Sequence, residues 1–293
     1  MMNSVSEKAY AKLNLSLDIV GKMPDGYHEM KMVLQSVSLC DDITIKSTDV
    51  RGIRLSTNLG YLPVNKANIA YRAALMFYDA LSDSDYGIEI RLDKNIPVCA
   101  GMGGGSSDGA AVLRALNRMH GFPLKREALL AICRRLGSDV AFCLEGGTVL
   151  ATGRGDVLTE LPSLASCHIV ICKPLFSVST PELFKCINVR KIRLRPDTDE
   201  LIEYIERCDA VSAARRMYNV FEDVLPKGRE AIDDIKGILA ENGAAGAAMT
   251  GTGSAVFGIF DDRSTACKAY AALKRKYSEV FLTVPVSKID LNV

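Results

Sequence analysis

The stretch Ile96-Pro97-Val98-Cys99-Ala100-Gly101-Met102-Gly103-Gly104-Gly105-Ser106-Ser107-Asp108 decides how the chain is read. Four of the five residues from Gly101 to Gly105 are glycine. Without Cβ atoms the backbone can approach a ligand closely. Beyond it, Ala111, Val112, Ala115, Leu116 and Met119 recur at helical spacing, which predicts a helix from about Ser107 to Met119. The first N–H groups of a helix lack intrahelical partners and carry partial positive charge. A glycine loop feeding a helix start is therefore an anion site suited to polyphosphate. Ser106 and Ser107 offer hydroxyls for capping, for phosphate or for Mg²⁺. The plainer alternative is a flexible surface loop before a capped helix. No Lys follows the glycines, so this is not a P-loop, and it lacks the G-x-G-x-x-G context of a dinucleotide fold.

Four other segments carry chemistry. In Ala9-Tyr10-Ala11-Lys12-Leu13-Asn14-Leu15 the alternation puts Ala9, Ala11, Leu13 and Leu15 on one strand face and Lys12 and Asn14 on the other. The polar pair either holds a hydroxyl or phosphate, or marks an exposed sheet edge. Asp139, between the predicted helix Arg126 to Leu136 and an apolar run, is placed to accept a proton or to cap a helix. Asp25-Gly26-Tyr27-His28 follows a tight turn, where Tyr27 can stack on a base and His28 can read its edge, unless these are ordinary hairpin residues. Gly251-Thr252-Gly253-Ser254 is a second glycine loop, or a simple turn, between Ala247 to Met249 and the strand Ala255 to Phe260. Thr180-Pro181-Glu182-Leu183-Phe184 reads as a capped helix start.

The bulk properties narrow the class. With 293 residues and 48% apolar content, the chain can bury one large core or two modest ones. A net charge of +1 argues against nucleic-acid binding. The basic run Arg190 to Arg195 alternates with Val189, Ile192 and Leu194 and reads as one solvated strand or loop face. Nine cysteines without a C-x-x-C pair suggest free thiols, mostly in the core, and a reducing, cytoplasmic setting. No stretch reads as a signal peptide or a membrane span. Further strands are expected at Met32 to Leu39, Asp42 to Lys46, Ile88 to Leu92, Ile169 to Cys172 and Val280 to Val286. Helices are expected at Asn68 to Leu81, Pro181 to Cys186, Thr198 to Ile205, Asp209 to Tyr218, Gly228 to Asn242 and Ser264 to Tyr277. This order points to an α+β protein with domains 1–160 and 161–293.

Lys12-Leu13-Asn14, the loop from Pro97 to Ser107, and Met249 to Ser254, in this order, resemble the three motifs of the GHMP kinases. The resemblance covers most of the chain and is weakest between residues 187 and 245. It implies a ribosomal-protein-S5-like N-terminal domain and a ferredoxin-like C-terminal domain. It also implies phosphoryl transfer from ATP, with Mg²⁺, to a hydroxyl of a small molecule, by a monomer or weak homodimer. Asp139 then matches the catalytic acid that takes the hydroxyl proton, and Lys12 the lysine that orients it. Pro97, Gly101, Gly103, Gly104, Gly105, Ser106 and Ser107 would cradle the phosphates, with Asn68 and Lys94 near adenosine. The Asp25-Gly26-Tyr27-His28 element is similar to that of members whose substrate carries a cytidine diphosphate. Tyr27 and Phe184 would sandwich cytosine and His28 would read its edge. Asn14 and Thr180 would hold polar groups, while Gly251, Thr252 and Gly253 close the site. Ser107 and Asp108 are the candidates for Mg²⁺, although Asp108 also suits a helix start electrostatically. Met102 and Ser138 depart from the common leucine and alanine. Another member of the family, a nucleotide sensor and an RNA-binding protein are the rival readings. The presence of Lys12 and Asp139 argues against the sensor, and the near-neutral charge against the RNA binder.

Overall fold

The computed structural model describes residues 3–164, 166–192 and 194–291. A long antiparallel hairpin organises the first half. Strand β1 (Ser4–Lys22) pairs along its length with β2 (His28–Ser47). The turn between them is closed by hydrogen bonds from Gly26 N to Met23 O and from Met23 N to Tyr27 O, with Gly26 at φ +89°. Strand β3 (Gly52–Thr57), helix α1 (Ile69–Leu81) and strand β4 (Gly87–Asp93) follow. Then come helices α2 (Gly104–Met119), α3 (Arg126–Leu136) and α4 (Ser138–Glu145), and strands β5 (Thr148–Gly153) and β6 (Val157–Glu160). The second half contains β7 (His168–Lys173), α5 (Thr180–Cys186), α6 (Thr198–Glu206), α7 (Ala210–Arg215) and the short β8 (Tyr218–Asn219). It ends with α8 (Arg229–Glu241), β9 (Gly246–Met249), β10 (Val256–Phe260), α9 (Arg263–Lys274) and β11 (Glu279–Thr283).

The first sheet runs β3-β4-β2-β1-β8, with β5 on the early part of β2 and β6 beyond it. The second sheet, β11-β7-β10-β9, is antiparallel throughout. Its strand order, 4-1-3-2 in chain order, is that of a ferredoxin-like βαββαβ unit. The α+β expectation holds, with the refinement that β8 belongs to the first sheet, parallel to Ser16 and Leu17 of β1.

Two irregularities in the β1–β2 pairing matter for function: at the first, Ser38 and Leu39 of β2 are extra, and at the second, Leu15 of β1 is extra. The register shifts between Tyr10 and Ala11 and again between Asn14 and Ser16. A bulge moves every following side chain to the other face. Ala9, Leu17 and Ile19 join the core with α1, α2 and α4, whereas Ala11, Leu13 and Leu15 join a second core with Ile169, Ile171 and Phe257. This corrects the single-face expectation for Ala9 to Leu15. Nor is the segment an exposed edge, because Lys12 is 5% and Asn14 1% exposed.

Other expectations change in detail. Helix α2 begins at Gly104, so Gly104 and Gly105 are its first residues rather than loop. Asp139 lies in the first turn of α4, a helix not expected from the sequence. Strands β3, β5, β6 and β8 were likewise unexpected, and Tyr218 sits in β8 instead of a helix. Residues Met32 to Leu39 and Asp42 to Lys46 form one continuous strand. In the run Arg190 to Arg195, Val189–Lys191 form a 3₁₀ turn. Arg193 lies outside the described residues, and Arg195 pairs with the buried Asp18 at 2.6 Å. All nine cysteines are free, but only Cys133, Cys143, Cys167 and Cys172 are buried. Burial pushes the thiols of Cys133, Cys167 and Cys172 up to about 12. Among the described residues no helix is long and apolar enough to cross a membrane.

The buried guanidinium of Arg114 ties α2 to its neighbours. It donates to the carbonyls of Cys143 (2.8 Å) and Leu144 (3.1 Å) at the end of α4 and of Lys8 (2.7 Å) in β1. Removing it would strand three carbonyls. We expect Arg114→Ala to cost about 3–5 kcal/mol of stability, read as a lower urea midpoint. A variant within about 0.5 kcal/mol of the parent would remove Arg114 from this role.

Candidate active site

The two glycine loops meet back to back. Gly101 has φ +76° and Gly251 φ +56°. A Cβ on Gly101 would overlap the Thr250 carbonyl oxygen, and one on Gly251 would sit 2.6 Å from the Gly101 oxygen. Only glycine permits this approach at both places. Gly103, at φ +68°, is the residue before α2, and a Cβ there would lie 3.0 Å from Lys12 Cγ. Lys12 is thus laid along the glycine loop, and its backbone N–H donates to Met102 O at 3.0 Å.

Lys12 Nζ donates to Asn14 Oδ1 at 2.7 Å and stands 4.0 Å from Asp139 Oδ2. The two chemical groups come from segments far apart in the chain. Bulged β1 turns Lys12 inward, and α4 presents Asp139 from its first turn, where the helix dipole favours a carboxylate. The Asp139 side chain keeps 40% of its surface open, while the Lys12 side chain keeps 6%. A buried ammonium facing an accessible carboxylate beside a helix mouth suits phosphoryl transfer. The carboxylate can take a proton, and the ammonium and dipole can offset charge on the phosphoryl group.

Asn14 Oδ1 also accepts from Gly251 N at 2.9 Å and from Thr250 Oγ1 at 3.3 Å. Its oxygen is therefore engaged by the protein itself, and Nδ2 approaches Met32 Sδ at 3.4 Å. Thr180 and Thr252 come together, with their hydroxyls 2.8 Å apart. Gly253 lies against Met249, where a Cβ would meet Sδ at 2.6 Å.

The aromatic segment is arranged in two pairs. His28 packs against Phe184 with ring centroids 5.1 Å apart, and Phe184 meets Phe221 edge-on at 5.0 Å. Burial, then the nearby Lys22 charge, lower the His28 imidazole below its ordinary value. Tyr27 is 58% exposed and lies under Arg154, whose guanidinium carbon is 4.1 Å from the ring centre. Arg154 also pairs with Asp25. The hydrogen bond from Tyr27 N lowers the Asp25 carboxyl despite some desolvation, and Arg154 lowers it further. Sequence reasoning missed Arg154, because an arginine between two glycines after a strand carries no signal of its partner. It also missed Thr250, whose role depends on contacts with Asn14.

The side chains expected near adenosine and Mg²⁺ are all engaged by the protein itself. Asn68 caps α1 by accepting from Ala70 N at 2.9 Å, and its amide donates to Pro63 O at 2.9 Å. Lys94 is brought beneath Gly104, but its ammonium is held between the carboxylates of Asp41 and Asp108. Asp108 sits 2.5 Å from Lys94 through Oδ2, and its Oδ1 is buried without a partner. Ser107 Oγ donates to Tyr10 O at 2.7 Å. Asp108 therefore does not fit a Mg²⁺ ligand. Among the described residues no group of three or more His, Cys, Asp or Glu side chains is placed to hold a metal. Burial pushes the Asp108 carboxyl up to about 7, with Lys94 opposing and Asp41 adding to the rise.

A kinase cleft of this kind defines the class. The chain belongs to the GHMP kinase family: the GHMP kinases N terminal domain matches residues 68–147 and the GHMP kinases C terminal domain matches residues 201–279. It is a small-molecule kinase. The 4-diphosphocytidyl-2-C-methyl-D-erythritol kinase of Clostridium beijerinckii is 43% identical to it, over 94% of this chain and 98% of that protein. The enzyme of the same name from Acetivibrio thermocellus is 40% identical, over 96% and 99%. A crystal structure of 4-(cytidine 5'-diphospho)-2C-methyl-D-erythritol kinase superposes with a TM-score of 0.83 at 29% identity, covering 96% of this chain and 99% of the other. The homoserine kinase of Cytophaga hutchinsonii shares the fold, with a TM-score of 0.77 at 22% identity over 98% and 96%.

The raised Asp108 carboxyl has a testable sign. The folded state keeps this proton at pH values where the unfolded chain has lost it. The associated stability is full below about pH 4 and is lost as pH rises through about 7. We expect Asp108→Asn, which mimics the protonated form, to abolish this loss between about pH 4 and 7 in urea titrations. Its activity should stay within about threefold, with an unchanged Mg²⁺ requirement. A steeply raised Mg²⁺ requirement would restore Asp108 as a metal ligand.

Proposed function

We propose that this protein transfers the γ-phosphoryl group of ATP to the 2-hydroxyl of 4-diphosphocytidyl-2-C-methyl-D-erythritol, giving the 2-phosphate and ADP. The step belongs to the non-mevalonate route to isoprenoids. The observation that carries the reaction type is the meeting of Lys12, Asp139 and the Gly101–Gly103 turn at one helix mouth. The substrate assignment rests on the names of the relatives and on the His28–Phe184 ring pair, with Tyr27 adjacent in the turn and Thr180 and Thr252 paired nearby on α5 and the late loop.

In this reading Asp139 accepts the proton of the attacking hydroxyl, and Lys12 offsets charge on the transferring group. The N–H groups at the start of α2 hold the phosphates. Mg²⁺, when bound with ATP, would supply further neutralisation of phosphate charge, with Ser107 the residue at the start of α2 that could approach it. Cytosine enters beside His28 and Phe184, and Tyr27 is free to cover it once Arg154 moves aside. Asn14 serves Lys12 and the late loop before it serves substrate. Residues 1–160 supply the chemistry, and residues 161–293 close the cleft. The protein acts in the cytoplasm, where its free thiols stay reduced.

Purified protein with Mg·ATP and a panel of acceptors tests the reading by ADP release. The cytidine-bearing acceptor should react, and mevalonate, homoserine and galactose should not. Asp139→Asn should lower kcat by about 10²-fold or more with ATP binding retained. Parental turnover in that variant would end the role of Asp139 as base. Replacing Tyr27 and His28 with alanine should raise KM for the cytidine substrate by about tenfold or more and leave KM for ATP within about twofold. Unaltered KM for both would move the cytidine site elsewhere.

A further inference from the structure

We infer that Asn219 is a positioning residue for the kinase reaction, acting on Lys12 through the Met249–Gly251 backbone and Asn14. This rests on the phosphoryl-transfer reading above. Asn219 is fully buried in β8, opposite Leu17 of β1. Its Nδ2 donates to two carbonyls of the late glycine loop, Met249 O and Gly251 O, each at 2.8 Å. Its Oδ1 accepts from Phe221 N at 3.0 Å and caps the 3₁₀ turn Val220–Val224. From that turn Glu222 Oε1 accepts from Met249 N at 2.8 Å, while its other oxygen pairs with Lys236 at 2.6 Å. The backbone of Met249 and Gly251 is thus fixed from one side by Asn219 and Glu222.

From the opposite side the same loop meets Asn14. Gly251 N donates to Asn14 Oδ1 at 2.9 Å, and Asn14 N donates to Thr250 Oγ1 at 3.0 Å. Asn14 Oδ1 is also the acceptor for Lys12 Nζ at 2.7 Å. A shift of the loop at Gly251 would change the orientation of the Asn14 amide and with it the anchor of Lys12. A misplacement of that size at a reacting group is costly to rate even when binding is preserved. The residue type follows from the task. One amide supplies two diverging donors for the loop carbonyls and one acceptor for the turn. A carboxylate supplies the acceptor but sets negative charge against two carbonyl oxygens, and it can donate only after taking up a proton.

That difference gives a test that a purely structural residue would not pass. In Asn219→Asp the cap to Phe221 is kept and the loop donors are lost. We expect kcat to fall about tenfold or more near pH 8, with KM for ATP within about threefold. Relative to the parent at each pH, the deficit should shrink as pH is lowered toward about 6, because a protonated carboxyl again donates one bond. Hydrogen exchange at the Gly251 amide should be at least about tenfold faster near pH 8 than in the parent. Asn219→Ser, with one shorter donor, should show a pH-independent deficit. An unchanged kcat, a deficit in Asn219→Asp that is the same at every pH, or unchanged Gly251 protection would overturn the inference. Loss of the folded state in both variants would assign Asn219 to folding and overturn it as well. A parent protein without phosphoryl transfer would sink the kinase reading, while the exchange comparison would still report whether Asn219 holds the loop.

Discussion

One amide oxygen joins the two halves of this protein at its candidate active site. Asn14 Oδ1 accepts from the ammonium of Lys12 in the first half and from the backbone of Gly251 in the second. The surroundings are dry, with Asn14 1% exposed, so an unmade bond there would carry the full cost of a desolvated polar group. The contact is possible because two glycines allow their backbones to touch without side chains between them. The lysine therefore has its proper place only when the second sheet has delivered its loop.

The buried charge beneath the phosphate loop follows a different logic. Lys94 sits between Asp41 and Asp108, and Asp41 also receives the backbone N–H groups of Asn95 and Ile96. The trio fixes the entry to the glycine run and the first turns of α2 together. With the Asp108 carboxyl raised by burial, the trio needs little net charge to persist near neutrality. Its effect is shape: the orientation of the N–H groups at the start of α2 is set by a buried ionic floor.

Much of this was legible in the sequence, and the gaps have physical causes. The glycine run, the helix after it, the Lys12 and Asn14 pair and the late loop were readable because each depends on local chemistry. Asp139 was readable as an acid, but the short α4 that presents it was not, since Gly137 and Ser138 carry weak helix preference. The irregular pairing of β1 with β2 leaves no mark in a pattern that looks like plain alternation, so Ala9 groups with Ala11 in sequence although the two enter different cores. The protein partners of Lys94 and Asn68 left no mark, because Asp41 is distant in sequence and the Pro63 partner is a backbone carbonyl. Position along the chain identified the neighbourhood, and only packing decided which way each group pointed.

The placement of β8 bears on how the molecule is made. The outer neighbour of strand β1 is residues 218–219, which lie far along the chain. The segment after β11 then runs back to the first half, where Val286 N donates to Ser36 O and Ile289 N to Glu145 O. Contacts spanning so much of the chain are closed late and slowly. A nascent chain can thus assemble most of its first sheet while still lacking a working cleft. Lys12 and Asn14 gain their last hydrogen-bond partner only when the late glycine loop reaches them.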